Sequence, residues 1–217
     1  MEVVIAILGI VVVVVLAVWL RMMIDRRRDA AIALAAEELG LTYRKDGRDL
    51  QTHPFTRFGL FQQGRRRRLR NVIQGHVDEV EMIVFDYRFF TGSHRNHSLW
   101  RQTVAAFRLP DMDVPEFDLQ PEKWVHKLTE LFGYQDIDFV DSPHFSDQYL
   151  LRGSDEEAVR DLFSVDLRQF MESINGFSLA GGEHWLVIYQ CDRRVGPMEL
   201  KVFIEETFKI GVKFWGR

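Results

Sequence analysis

The sequence predicts an α+β protein in which an N-terminal transmembrane helix is followed by a strand-rich lobe and a mixed α/β lobe, on a largely antiparallel sheet. Three observations carry this. Val3 to Leu20 is an unbroken apolar run of 18 residues, residues 42–119 break into strand-length segments punctuated by Pro and Gly, and beyond residue 120 apolar residues recur at helical spacing. The composition is that of a globular chain: 217 residues, 47% hydrophobic, 28% charged, formal net charge −4.

The apolar run holds only Val, Ile, Leu, Ala, one Gly and one Trp. As a helix it measures roughly 27 Å, the thickness of a bilayer core. Its β-branched stretch Val11–Val15 is no obstacle, because a lone strand would leave its backbone groups unpaired in lipid. A cleaved secretory signal would need a basic segment before the run and a small-residue cleavage site after it. Instead Glu2 is the only charge before it, and Arg21, Arg26, Arg27 and Arg28 follow it. Residues 1–24 are therefore expected to be an uncleaved anchor whose partner is the lipid bilayer through residues 3–20. The arginine flank sets the expected orientation, N-terminus outside and residues 25–217 cytoplasmic, at the inner membrane of a bacterium. A single cysteine, Cys191, fits a reducing compartment.

Ala30 to Leu39 reads as a short amphipathic helix stopped by Gly40. Strands are expected at Phe58–Phe61, Val72–His76, Glu81–Phe90, Leu99–Leu109 and Phe117–Leu119. In Glu81–Phe90, alternation puts Ile83, Phe85, Tyr87 and Phe89 on the core face and Met82, Val84, Asp86 and Arg88 on the other. Pro121 opens a helix through Trp124, Leu128 and Leu131 that closes at Gly133, and strands follow at Ile137–Val140 and Gln148–Arg152. Ser154 and Glu157 have the spacing of a capping box ahead of a helix carrying Val159, Leu162, Phe163, Leu167, Phe170 and Met171. Gly181 and Gly182 are expected to turn a hairpin between Phe177–Ala180 and His184–Gln190, and Pro197 to start a last helix with Leu200, Phe203, Ile204 and Phe208 on one side.

Charge is unevenly spread: residues 57–108 carry a net +6 and residues 109–217 a net −10. Such asymmetry would turn the basic half of a tethered domain toward an anionic leaflet. The densest feature, Arg65, Arg66, Arg67, Arg68 and Arg70, falls between two expected strands and reads as an exposed hairpin loop. It reads first as a solvated loop, next as a contact for anionic headgroups, where each cation is worth ~1 kcal/mol, and last as a contact for nucleic acid or an acidic protein. Nucleic acid is not an expected partner, since the chain is acidic overall and no aromatics interleave with the arginines.

Nothing in the chain spells out a reaction. His94 and His97 have metal-ligand spacing, but their loop supplies no further Cys, Asp or Glu, and a polar hairpin tip is the better reading. Asp136 and Asp138 would share a strand face, with Asp141 near, and read as a solvated face. Ser142, His144, Ser146, Asp141 and Asp147 are sequence neighbours without a nucleophile elbow. Asp86, Arg88 and Arg101 read as cross-strand ion pairs. There is no G-x-G-x-x-G, Walker A or CxxC motif, so no cofactor, metal or catalytic residue is assigned.

Phe85-Asp86-Tyr87-Arg88, Arg101-Gln102-Thr103-Val104, Asp136-Ile137-Asp138-Phe139 and Tyr149-Leu150-Leu151-Arg152-Gly153 resemble a family of uncharacterised bacterial proteins with one membrane helix and a cytoplasmic α+β domain. The resemblance spans most of residues 25–205. It implies bacterial membrane anchoring and a shared fold, and carries no catalytic residue or ligand. The function expected is a membrane-anchored interaction or regulatory module with an unknown protein partner. An anionic-lipid-recognising domain using Arg65–Arg70 is the first alternative, and a tethered enzyme using Asp136, Asp138 or the His144 neighbourhood the second.

Overall fold

The computed structural model describes residues 2–77, 80–92, 97–109, 111–125 and 135–216. Its first element, α1 (Glu2–Glu38), is one continuous helix of 37 residues. The separate helix expected at Ala30 is instead the last part of α1, because Arg, Met, Ala and Glu fill residues 21–38 and no Gly or Pro interrupts them. Gly40 does end it: at φ 69° it lets Gly40 N–H donate to Glu37 O and Leu41 N–H to Ala36 O, both at 2.9 Å. The helix has two environments. Residues 7–20 are exposed, whereas Ile32 and Ala36, one turn apart, are buried in the core.

The strands are β1 (Thr42–Asp46), β2 (Arg65–Val77), β3 (Val80–Gly92), β4 (His97–Arg108), β5 (Val114–Pro121), β6 (Tyr149–Gly153), β7 (Phe177–Glu183) and β8 (Trp185–Gln190). They form a single antiparallel sheet in the order β1-β2-β3-β4-β8-β7-β5-β6. Pairing of β4 with β8 joins the strand-rich and mixed parts edge to edge.

Both faces of this sheet are covered. Ile83, Phe85, Tyr87 and Phe89 of β3 pack as expected in one core, under Leu50, Phe55, Phe58, Leu60 and Phe61. Met82 and Val84, placed by alternation on the opposite face, are buried as well, with Ile32 and Ala36 of α1. That second core is closed by α4 (Pro143–Gln148), α5 (Glu156–Leu162), α6 (Val165–Ser173) and α7 (Leu200–Trp215). Central strands covered on both faces carry continuous apolar runs, and Met82–Phe85 is such a run.

Several expected elements are displaced. Phe58–Phe61 is not a strand: a 3₁₀ turn (Pro54–Arg57) leads into the short helix α2 (Gly59–Gln62). Phe58, Leu60 and Phe61 are all buried, and a helical turn brings the sequence neighbours Leu60 and Phe61 into the same core, which an alternating strand would not. The arginine run is not a loop but the first half of β2, where Arg65, Arg68 and Arg70 lie opposite Phe90, Arg88 and Asp86. β3 continues to Gly92 and offers backbone partners, while two bulges, with Arg66 at φ 53° and Asn71 at φ 52°, absorb the register.

Pro121 closes β5 opposite Tyr149 instead of opening the helix, α3 (Glu122–Val125) begins one residue later, and Leu128, Leu131 and Gly133 of the expected helix lie outside the described residues. The strand expected at Ile137–Val140 shrinks to one bridge between Asp136 and Arg152. The cap of α5 is Asp155, accepting from Ala158 N–H at 3.1 Å, rather than Ser154, whose backbone is tied to Glu116 O on β5. The long helix expected there is two, with Ser164 capping α6. Gly181 and Gly182 lie inside β7, and the turn falls at Glu183–His184. A Cβ on Gly181 would come within 2.3 Å of the Phe117 ring, so close packing explains this glycine. Pro197 starts a 3₁₀ turn leading into α7, which buries Leu200, Phe203 and Ile204.

Candidate functional site

The site grows from the junction of α1 with the sheet. Asp86, on the second face of β3, is only 8% exposed and accepts from six donor atoms of four residues. Arg28 Nε and Nη2 approach its two oxygens at 3.1 and 2.9 Å, and Arg194 Nε and Nη2 reach Oδ2 at 3.0 and 2.9 Å. Asn71 Nδ2 donates at 3.0 Å and Thr103 Oγ1 at 3.1 Å. Burial alone would raise the pKa of Asp86, but the Arg28 hydrogen bond and the Arg194 and Arg28 charges outweigh it and hold the carboxyl below its usual range. One residue along α1, Asp29 takes Lys45 Nζ at 2.8 Å and Arg70 Nη2 at 3.3 Å. The helix is thus bolted to β1, β2 and β3 by two aspartate-centred networks.

Beside these networks, toward the apolar end of α1, lies a recess of about 520 Å³. Ala17, Leu20 and Ile24 of α1 form its apolar wall. Arg21, Arg68, Arg70, Arg88, Arg101 and Arg194 line it with the carboxylates Asp25 and Asp86. Arg68, Arg88 and Arg101 stand directly opposite one another on β2, β3 and β4. Like charges at such positions repel, and among the described residues no carboxylate comes within ion-pair distance of any of the three. Burial, then the neighbouring Arg68, Arg70, Arg101 and Arg21, depress the pKa of Arg88, and its buried Nε has no hydrogen-bond partner.

Of the arginines singled out in the sequence, Arg68 and Arg70 line the recess, and Arg65, Arg66 and Arg67 do not. Arg67 turns to the other face, where its Nη1 donates to Phe61 O. The expected ion pairs among Asp86, Arg88 and Arg101 do not form: Asp86 is taken by Arg28 and Arg194, and Arg88 faces two arginines. Sequence reading missed Arg21, Arg88, Arg101 and Arg194 as a group. The only signal was the period-2 placing of Arg88, since the rest needs the strand register.

The other groups weighed for chemistry are held in structural contacts or lie apart. Arg168 Nη2 meets Asp141 Oδ2 at 2.6 Å and Arg168 Nε meets Ser142 Oγ at 3.0 Å, while Ser146 Oγ caps Phe139 N–H at 2.9 Å. Burial, then the Asp138 charge, raises the pKa of Asp136. His94 lies outside the described residues; His97 is at the exposed start of β4. Among the described residues no three His, Cys, Asp or Glu side chains group to hold a metal ion.

Among the described residues one helix, α1, is long and apolar enough to cross a membrane, and none of its most apolar window is buried. No protein-family model and no curated protein matches the chain, so the uncharacterised bacterial family it resembles is not confirmed. A solved structure does match: the crystal structure of the mycobacterial trehalose monomycolate transport factor A, TtfA, aligns with a TM-score of 0.61 over 88% of this chain and 94% of that one, at 12% identity. At that identity the likeness establishes a common fold.

Proposed function

We propose that this chain is a non-catalytic accessory module for transport of a membrane amphiphile, anchored by residues 1–24, with residues 25–217 on the cytoplasmic side of a bacterial inner membrane. The observation that carries the reading is the continuity of α1, whose exposed apolar half passes without a break into a half bolted to the sheet through Asp86 and Asp29. A helix so fixed holds the domain against the bilayer in one orientation, as a scaffold for a membrane-embedded protein partner requires. Arg21 and Arg26–Arg28 support the cytoplasmic side. The fold shared with TtfA, a trehalose monomycolate transport factor, supports the accessory role in amphiphile transport.

The test is complementation. Cells lacking the protein should accumulate an envelope lipid on the side where it is made, and the full chain should restore its distribution. Val12 and Val15 are exposed on α1, so V12K/V15K leaves the domain intact while expelling the helix from the bilayer. That variant should fail to restore. Full restoration by it, or an unchanged lipid distribution in cells lacking the protein, would overturn the reading.

A further inference from the structure

We propose that the arginine-lined recess binds the phosphate headgroup of one anionic phospholipid of the adjoining leaflet, with an acyl chain lying along α1. The proposal rests on the reading of α1 as a membrane span and deepens it by giving the module a ligand. Three observations carry it. Arg68, Arg88 and Arg101 form a row across three strands with no carboxylate among the described residues within ion-pair distance, an arrangement that costs stability unless an anion joins it. Arg88 Nε is buried without an acceptor, although guanidinium forks are suited to phosphate oxygens. The wall facing them is Ala17, Leu20 and Ile24, the surface of α1 where its apolar run ends.

That last point separates a lipid from a soluble phosphate. A free phosphate would be served by the arginines alone, whereas an amphiphile uses both walls. The recess, about 520 Å³, is of the size that takes small ligands. Its carboxylates leave the balance positive: Asp86 is already saturated by Arg28 and Arg194, and Asp25 alone faces Arg21, Arg68, Arg88 and Arg101. The lipid site therefore uses Arg68 from the arginine run, has Arg70 in its wall tied to Asp29, and leaves Arg65, Arg66 and Arg67 outside.

The experiment is native mass spectrometry of the full chain in non-ionic detergent, titrated separately with dioleoyl phosphatidylglycerol, dioleoyl phosphatidylcholine and glycerol 3-phosphate. The expected result is saturable binding of one phosphatidylglycerol, at least tenfold tighter than of either competitor. R68Q/R101Q should weaken it tenfold or more, and R65Q/R66Q by less than twofold. Arg68 and Arg101 are exposed and have no acidic partner among the described residues, so their exchange relieves repulsion and should leave the thermal midpoint at or above wild type; R101Q alone serves as the milder variant, expected to weaken binding in the same direction. Equal binding of both lipids, equal loss in R65Q/R66Q, or glycerol 3-phosphate binding as tightly as the lipid would overturn the proposal. Carbonate washing of membranes separates the two failures: a chain that stays in the membrane without lipid preference sinks the lipid site alone, and a chain that washes off sinks the anchor and the site together.

Discussion

Arg28 of α1 and Asp86 of β3 are 58 residues apart in sequence and meet at 2.9 Å, Nη2 to Oδ1, with Arg194 on the carboxylate's other oxygen. With the Asp29 pairs and the burial of Ile32 and Ala36, the contact ties the second half of α1 to the sheet. Its energetics follow from burial: two guanidinium groups, 14% and 29% exposed, share one carboxylate, and removing that carboxylate strands both.

Asp86→Asn should therefore cost about 3 to 5 kcal/mol of stability at pH 7, read by chemical denaturation of the full chain in detergent. The folded pKa of Asp86 is depressed, so its stabilisation is present above the ordinary carboxylate pKa and is lost as pH falls through the lower folded value. The gap between wild type and variant should narrow below pH 4. A variant within 1 kcal/mol of wild type at pH 7 would contradict the anchoring role of the pair.

Asp118 titrates with the opposite sign. Buried on β5, with Oδ2 accepting from Gln120 Nε2 at 2.9 Å and Oδ1 unsatisfied, its carboxyl is pushed by burial up to about 7. The unfolded chain gives up this proton near pH 4 and the folded chain near pH 7, so stability falls as pH climbs between them. Asp118→Asn should be neutral near pH 4 and stabilising at pH 8, by up to roughly 4 kcal/mol at ~1.4 kcal/mol per unit of displacement. Equal effects at the two pH values would refute this.

Ile32 is the apolar counterpart of Arg28, buried one turn further along α1 against Met82 and Val84 of β3. Ile32→Ala should destabilise by about 2 to 4 kcal/mol through the cavity it leaves. Because the loss falls on the docking of α1, trypsin should cut faster at Arg26–Arg28 in the variant than in wild type. Unchanged cleavage together with unchanged stability would show that the helix does not depend on this face.

Cys191 is buried beside Ser178, and burial pushes its thiol up to about 12. Alkylation of the folded protein at pH 8 should be at least a hundredfold slower than in denaturant. Rapid labelling of the native protein would contradict its packing against β7.

Much of the fold is legible because local signals and burial agree. The apolar run, the Gly40 stop, β3, β4 and the Pro197 start of the last helix all follow from spacing and end residues. What escapes reading is set by tertiary partners. Arg66 and Asn71 carry left-handed backbone at bulges that no local residue pattern announces, so a strand looks like a loop. Gly181 and Gly182 look like a turn because the approach of Phe117 and Phe58 to them is invisible in sequence. The site is least legible: Arg68, Arg88 and Arg101 come from three strands, and only the register places them in one row.

If α1 spans the bilayer, it holds the arginine recess at the bilayer surface, and β4 supplies a ruler for it. Arg101, at the recess, and Arg108 are both exposed on this strand and about 23 Å apart by strand rise. The decisive measurement is nitroxide depth, by oxygen and nickel-complex accessibility, for labels placed singly at Ala17, Arg101 and Arg108 of the full chain in phosphatidylglycerol-containing vesicles. A label at position 17 should lie among the acyl chains, one at 101 in the headgroup layer and one at 108 in water. Labels at 101 and 108 that are equally exposed to water would contradict this placement.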